Sequence, residues 1–166
     1  MIHGRFQPFH NGHLEYLRGA AGRCDEVFVG ITNPDPERIK PEPADPLRHL
    51  PESNPYTYVE RLLMVKAAAR DAGIGAERLH VIPFPVNEPE LWPPYVPPDV
   101  VHFIRLFSDW GGAKLDRLHE AGYEVGRAYE LAIVAVGPVL RGFLDGVPMF
   151  VVEDEELATG RVGLYC

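Results

Sequence analysis

Two cysteines in 166 residues, Cys24 and Cys166, are too few for a disulfide framework. A reducing compartment, the cytoplasm, is therefore the expected location. No apolar run approaches the roughly 20 residues of a membrane span; the longest candidate is Leu131–Leu140. No signal-peptide pattern is present either, so neither membrane nor export is expected. Positive charge is scarce, with 16 Lys and Arg against 24 Asp and Glu and a net charge of −8. Nucleic acids and anionic membranes call for a basic footprint, so neither is an expected partner. A small anionic substrate stays compatible, since it needs only a local cluster of Arg and His. Internal repeats are absent, and no motif pairs carboxylates in a way that suggests a dedicated metal site.

What is there is an α/β pattern of ordinary size. The length implies one domain, 1–166, able to bury a sizeable core. Its 46% hydrophobic and 24% charged residues suit a globular protein, and a homo-oligomer is compatible with them. After an apolar start, Met1-Ile2-His3, a helix is expected with Leu14, Leu17, Arg18 and Ala21 on one face. Glu26–Ile31 reads as a buried strand. The stretch Thr32–Asn54 carries six prolines, which predicts a long loop without regular structure. Loops of that length are usually functional, and this one is expected to close over a substrate. Thr57, with Glu60 three residues on, forms a capping box that opens a helix ending at Gly73 or Gly75. Strands are expected at Leu79–Pro83, Val100–Phe107 and Leu131–Val136, and a helix from about Ala113 to Ala121, ended by Gly122. Gly137-Pro138 reads as the start of a short helix reaching to near Gly146. The tail, 147–166, is ambiguous, with a solvated acidic run at Glu153–Glu156.

The stretch Gly4-Arg5-Phe6-Gln7-Pro8-Phe9-His10-Asn11-Gly12-His13 stands out within this pattern. It places a Gly/Pro loop between a strand and a helix start. Unpaired backbone N–H groups and the helix dipole make such a start a ready anion site. His10 and His13 flank Gly12, which lets the backbone approach a ligand. Both imidazoles can then donate to the same phosphate chain.

G-R-F-Q-P-F-H-x-G-H resembles the signature of the HxGH nucleotidyltransferases, specifically the archaeal type of NMN adenylyltransferase. The resemblance extends over most of the chain. Asn54-Pro55-Tyr56-Thr57-x-x-Glu60-Arg61 resembles the family's N-P-F-T-x-x-E-R, and Leu91-Trp92 its L-W in the nicotinamide loop. Glu120–Val125 is similar to a family helix end, and Val136-Gly137-Pro138-Val139-Leu140-Arg141 to its triphosphate-holding S-G-T-x-I-R. The resemblance implies a Rossmann-like, doubly wound parallel sheet with helices on both faces and ligands at the carboxyl ends of its strands. It implies nucleotidyl transfer from a nucleoside triphosphate to a small phosphate or phosphonate acceptor, with Mg²⁺ on the triphosphate. His10, His13, Arg5 and Arg141 are then the catalytic candidates. Gly4, Phe6, Gln7, Gly12, Gly137, Pro138 and Leu140 are candidates for the nucleotide, and Asn33, Arg48, Asn54, Thr57, Asn87 and Trp92 for the acceptor.

The departures fall on recognition. Val136 and Pro138 replace two hydroxyl residues, Ser53 stands where the family has a basic residue, and Asn87-Glu88-Pro89-Glu90 replaces its paired asparagines. Relatives of this sort include cytidylyltransferases that act on phosphonates such as phosphonoformate in natural-product biosynthesis. CTP-dependent transfer to such an acid is therefore the favoured expectation. An NMN adenylyltransferase and a non-catalytic nucleotide-binding homologue are the alternatives.

Overall fold

The computed structural model describes residues 1–41, 43, 46–106, 109–136, 138–144 and 147–153. The first strand, β1 (Ile2–Gly4), leads through a turn into α1 (Asn11–Ala21) and β2 (Val27–Thr32). After the long loop come α2 (Tyr58–Asp71), β3 (Leu79–Phe84), β4 (His102–Leu106) and α3 (Asp109–Glu120). A meander closes the described chain: β5 (Val125–Val136), β6 (Val139–Leu144) and β7 (Val147–Glu153).

Strands β1, β2 and β3 pair in parallel, as do β4 and β5. The two groups meet where the Phe103 N–H donates to the Met1 carbonyl at 2.9 Å. The strand order is thus 3-2-1-4-5, with the reversal point between β1 and β4. That is the parallel, Rossmann-like arrangement, and its ligand crevice opens at the carboxyl ends of those two strands.

Alternation along the strands divides the apolar residues between the two faces. Val27, Val29 and Ile31 pack with Tyr16 and Leu17 of α1 and Val65 and Ala69 of α2. On the other face Phe84, Trp92 and Ile104 pack with Leu118 of α3. At about 25 cal/mol per Å² of buried apolar surface, these two clusters are the main favourable term in folding.

Several expectations are corrected. The buried face of α1 is His13, Tyr16, Leu17 and Ala20, leaving Arg18 exposed. The chain enters the helix at His10, so its inward stripe starts from the turn rather than from Leu14. The proline-rich loop is not free of regular structure. Single 3-10 turns begin at Pro36 and Pro51, since proline's fixed φ suits the first position of a helical turn. The helix expected after Pro138 is a strand: β6 runs antiparallel to both β5 and β7, and Pro138 lies in the turn before it. Pairing of V-L-R-G-F-L between two apolar strands overrides the helix-start signal of the proline. Other expectations are met. The Thr57–Glu60 capping box forms, and Gly73 and Gly122 end their helices at φ of 76° and 79°. Within the tail only 147–153 is described; Asp154–Glu156 and Cys166 lie outside the described residues.

Between β1, β4 and α3 lies a buried group of nitrogen bases. The His3 and His102 rings are 5.2 Å apart, near Lys114 and the N-terminal amine. No ring nitrogen of either histidine has a hydrogen-bond partner among the described residues. Burial, reinforced by these like-charged neighbours, lowers the pKa of His3 and brings that of His102 to about 3. The amine, also buried, falls to about 6. All three groups are therefore held neutral in the folded state.

A lowered folded-state pKa on a base means that the unfolded chain binds more protons below pH 6.5. The stability contributed by the two histidines should then be fully present above that value and decline as pH falls towards 3, while the amine, ordinarily near 8, adds a smaller decline between about pH 8 and pH 6. Each such histidine contributes at most about 1.4 kcal/mol per pH unit. The expected outcome is a loss of more than about 2 kcal/mol between pH 7 and pH 5, read from urea unfolding. Stability that is flat or rising towards pH 5 would contradict this burial.

Candidate active site

The turn after β1 is fixed from several sides. Phe6 adopts a left-handed backbone, φ 55°, and the Gln7–Pro8 peptide is cis. The buried Phe6 ring lies 5.3 Å from Phe9 and 5.0 Å from His13. Gln7 clips the turn to the start of α2, its amide donating to the Tyr56 carbonyl and accepting from the Tyr56 N–H, both at 2.9 Å. The Arg5 guanidinium donates to the carbonyls of Arg48 and Ser53, each at 3.3 Å.

Arg61 holds these pieces together. Only 2% exposed, it donates to the carbonyls of Arg5, Thr32, Asn33 and Thr57 over 2.8–3.3 Å. Its partners are backbone oxygens from three separate stretches of the chain. Burial lowers its pKa to about 10, so it keeps its charge at neutral pH.

His10 precedes α1 in an extended conformation, and its N–H donates to His13 Nδ1 at 3.4 Å. With Nδ1 accepting, the neutral His13 ring carries its proton on Nε2. The two rings stack, centroids 3.7 Å apart and planes 27° from parallel. Burial brings the His13 pKa to about 3, with His10 and Arg105 adding to the shift, and burial also lowers His10. Two neutral imidazoles thus flank a helix start that has no acidic residue in its first turn. An arriving polyphosphate meets donors there and favours their protonation.

A second feature, a cleft of about 200 Å³, opens at the carboxyl ends of β2 and β3. Asn33, Arg38, Asn87, Glu88 and Tyr95 are among its walls. Arg117 donates to Asn87 Oδ1 at 3.1 Å, which leaves the Asn87 amide N–H₂ as a donor. Glu88 pairs with Arg38 at 2.9 Å and with Lys40 at 3.8 Å, tying the proline-rich loop to the cleft.

The sequence candidates therefore divide. Gly4, Arg5, Phe6, Gln7, His10, Gly12 and His13 meet in the turn, and Asn33 and Asn87 in the cleft. Asn54 clips the carbonyls of Arg48 and Leu50, and the Thr57 hydroxyl is taken by the helix cap. Trp92 is corrected. It is 0% exposed, packs 5.1 Å from Phe84, and donates its indole N–H to the Pro85 carbonyl. It supports the cleft from behind and offers no open ring face for a ligand. Pro138, Leu140 and Arg141 sit in or after the β5–β6 turn, with Arg141 exposed opposite Val134. The helix start expected to display them is not formed. Gly137 and the side chain of Trp110 lie outside the described residues.

Arg105 was missed by the sequence reading. It is an arginine in an otherwise apolar strand end, H-F-I-R-L, and alternation with Phe103 puts it on the face of α1. That alternation was the available signal.

A parallel sheet with paired histidines on a helix start at its reversal point defines the class, a nucleotidyltransferase. The family model described as cytidylyltransferase-like matches residues 1–83. A phosphonoformate cytidylyltransferase of Streptomyces viridochromogenes is 48% identical over 150 residues, 89% of this chain and 82% of that protein. A nicotinamide-nucleotide adenylyltransferase of Methanospirillum hungatei is 37% identical, covering 74% of this chain and 62% of its own length. A bifunctional NMN adenylyltransferase/ADP ribose pyrophosphatase from Francisella tularensis, solved with AMP and a Mn ion, has TM-score 0.49 and 16% identity. The overlap covers 79% of this chain and 36% of that one, a likeness too slight to weigh. The chain belongs to the cytidylyltransferase-like family.

Replacing Arg61 by Met should strand several buried carbonyls, each costing about 1–3 kcal/mol. A destabilisation of about 3 kcal/mol or more is expected by urea unfolding, with Arg61→Lys recovering little, since one ammonium cannot span the same oxygens. Near-native stability of Arg61→Met would show that the loops are held by other contacts.

Proposed function

We propose that the protein transfers a cytidylyl group from CTP to a small phosphonate acid of the phosphonoformate type, releasing pyrophosphate. The observation that carries this choice of substrates is the 48% identity with a phosphonoformate cytidylyltransferase, spread over 89% of the chain. The structure supports it on the acceptor side. The cleft is small, with Asn33, Arg38 and Asn87 among otherwise largely apolar walls, and the tryptophan that the resemblance offered to nicotinamide is buried.

In this reaction an acceptor phosphonate oxygen attacks the α-phosphorus of CTP. The new P–O bond forms as the bond to the α–β bridging oxygen breaks, and pyrophosphate departs with that electron pair. The nucleophile is already an anion, so no side chain need take its proton. Catalysis reduces to positioning and charge neutralisation. The α1 start and His10 hold the polyphosphate, while His13 Nε2–H donates where negative charge grows on the bridging oxygen. Arg5 adds a cation that is also tied to the proline-rich loop. In the cleft, Asn33, Asn87 and Arg38 are the groups available to the acceptor.

Among the described residues no three His, Cys, Asp or Glu side chains are grouped to hold a metal ion. Mg²⁺ suits such a site when it is carried on triphosphate oxygens and water, where it supplies charge neutralisation.

His13→Ala should lower kcat by about 10²–10³-fold with secondary structure intact, since it removes a donor to charge that develops in the transition state. Wild-type turnover by that variant, measured by pyrophosphate release, would refute the role given to His13. The substrates are tested by comparing kcat/KM for CTP or ATP against phosphonoformate or NMN. The CTP–phosphonoformate pair should exceed the other three. A dominant ATP–NMN value would restore the adenylyltransferase, and no turnover with any pair would leave a nucleotide-binding homologue.

A further inference from the structure

We infer that Arg105 is a triphosphate-binding residue, supplying from β4 the cation on the far side of the anion site built by the β1–α1 turn. The inference rests on reading that turn as a triphosphate site. Arg105 is the next-to-last residue of β4, and β4 lies beside β1 across the reversal point. Its neighbours on the strand fix its direction: Ile104 packs into the core on the α3 side, Phe103 into the core on the α1 side. Arg105 therefore shares the Phe103 face and runs under the start of α1.

There the guanidinium lies over the Tyr16 ring, 5.1 Å from its centroid. Tyr16 is itself held, its hydroxyl donating to the Phe103 carbonyl. A methyl group on Gly12 would stand 3.5 Å from Arg105 Nη1 and 3.2 Å from the His10 ring. The guanidinium thus reaches the first turn of α1, and Gly12 keeps open the space between it and His10. No carboxylate pairs with Arg105 among the described residues.

The Arg105 cation stands beside two histidines whose protonation it disfavours. A polyphosphate laid across Gly12 relieves all three at once, since each interacts favourably with an anion. The same geometry accounts for the position of Arg141. That residue is exposed on β6, so the second phosphate-clamping arginine implied by the family motif is replaced here by one from β4.

The test is binding of inorganic tripolyphosphate by calorimetry to wild type, Arg105→Met, Arg105→Lys and His13→Ala. It is paired with KM values for the productive substrates. Arg105→Met keeps an aliphatic stem over Tyr16 and removes the charge. It should weaken tripolyphosphate binding by about 10–100-fold, the loss expected of a charged hydrogen-bonding pair. It should raise KM for the triphosphate while leaving that for the acceptor within about twofold, and Arg105→Lys should recover part of the loss. Wild-type affinity in Arg105→Met, alongside weakened binding in His13→Ala, would overturn the inference and leave the turn as the triphosphate site. Unweakened binding in His13→Ala as well would overturn both readings. If Arg105→Met does not fold, Arg105→Gln replaces it under the same criteria.

Discussion

The site depends first on one buried guanidinium. Arg61 rises from the first turn of α2 and collects carbonyls from the loop after β1, the end of β2 and the start of its own helix. These are the places where strands stop and backbone oxygens lose their ladder partners. A planar fork with five donors can serve several such oxygens, which a carboxylate-paired lysine cannot. Its stripe on α2 continues through Val65 and Ala69 into the core, so the same helix face both seals the sheet and fixes the loops. The turn bearing His10 and His13 is rigid largely because its neighbour, Arg5, is held this way.

Local electrostatics make the proposed polyphosphate site compatible with a net charge of −8. Near the turn Arg5 and Arg61 both donate to backbone carbonyls, which places two guanidinium cations close to it. The first turn of α1 carries no acid, and its dipole adds to the same field. The histidines contribute donors without charge until an anion arrives, which avoids accumulating repulsion in the free protein. Acidic residues elsewhere do not undo this, because screening limits exposed charges to about 8–10 Å.

The cleft proposed for the acceptor is built differently from the turn proposed for the phosphates. Side chains that the sequence offers as contacts turn out to shape the walls: Trp92 props the cleft, Asn54 folds its own loop and Thr57 caps α2. The cleft walls mix apolar residues, Val86, Leu91 and Tyr95 among them, with polar ones, Asn87 oriented by Arg117 and Arg38 paired to Glu88. Its small volume, amides and guanidinium are the features that fit the compact acid proposed as acceptor.

The sequence by itself determined the β-α-β core and the turn that leads from β1 into α1. Hydrophobic runs bounded by Gly and Pro, the Thr57–Glu60 cap and G-R-F-Q-P-F-H-N-G-H are local signals, and local chemistry was enough to read them. The order 3-2-1-4-5, the partners of Arg61, the burial of Trp92 and the arrival of Arg105 beside Gly12 were decided only by tertiary structure. Each depends on residues far apart in the chain, such as Arg61 with Arg5 and Thr32, or Arg105 with Gly12 and Tyr16. The hairpin after Pro138 belongs to the same group. A proline at a helix start and a proline in a hairpin turn look alike locally, and only pairing with β5 and β7 separates them.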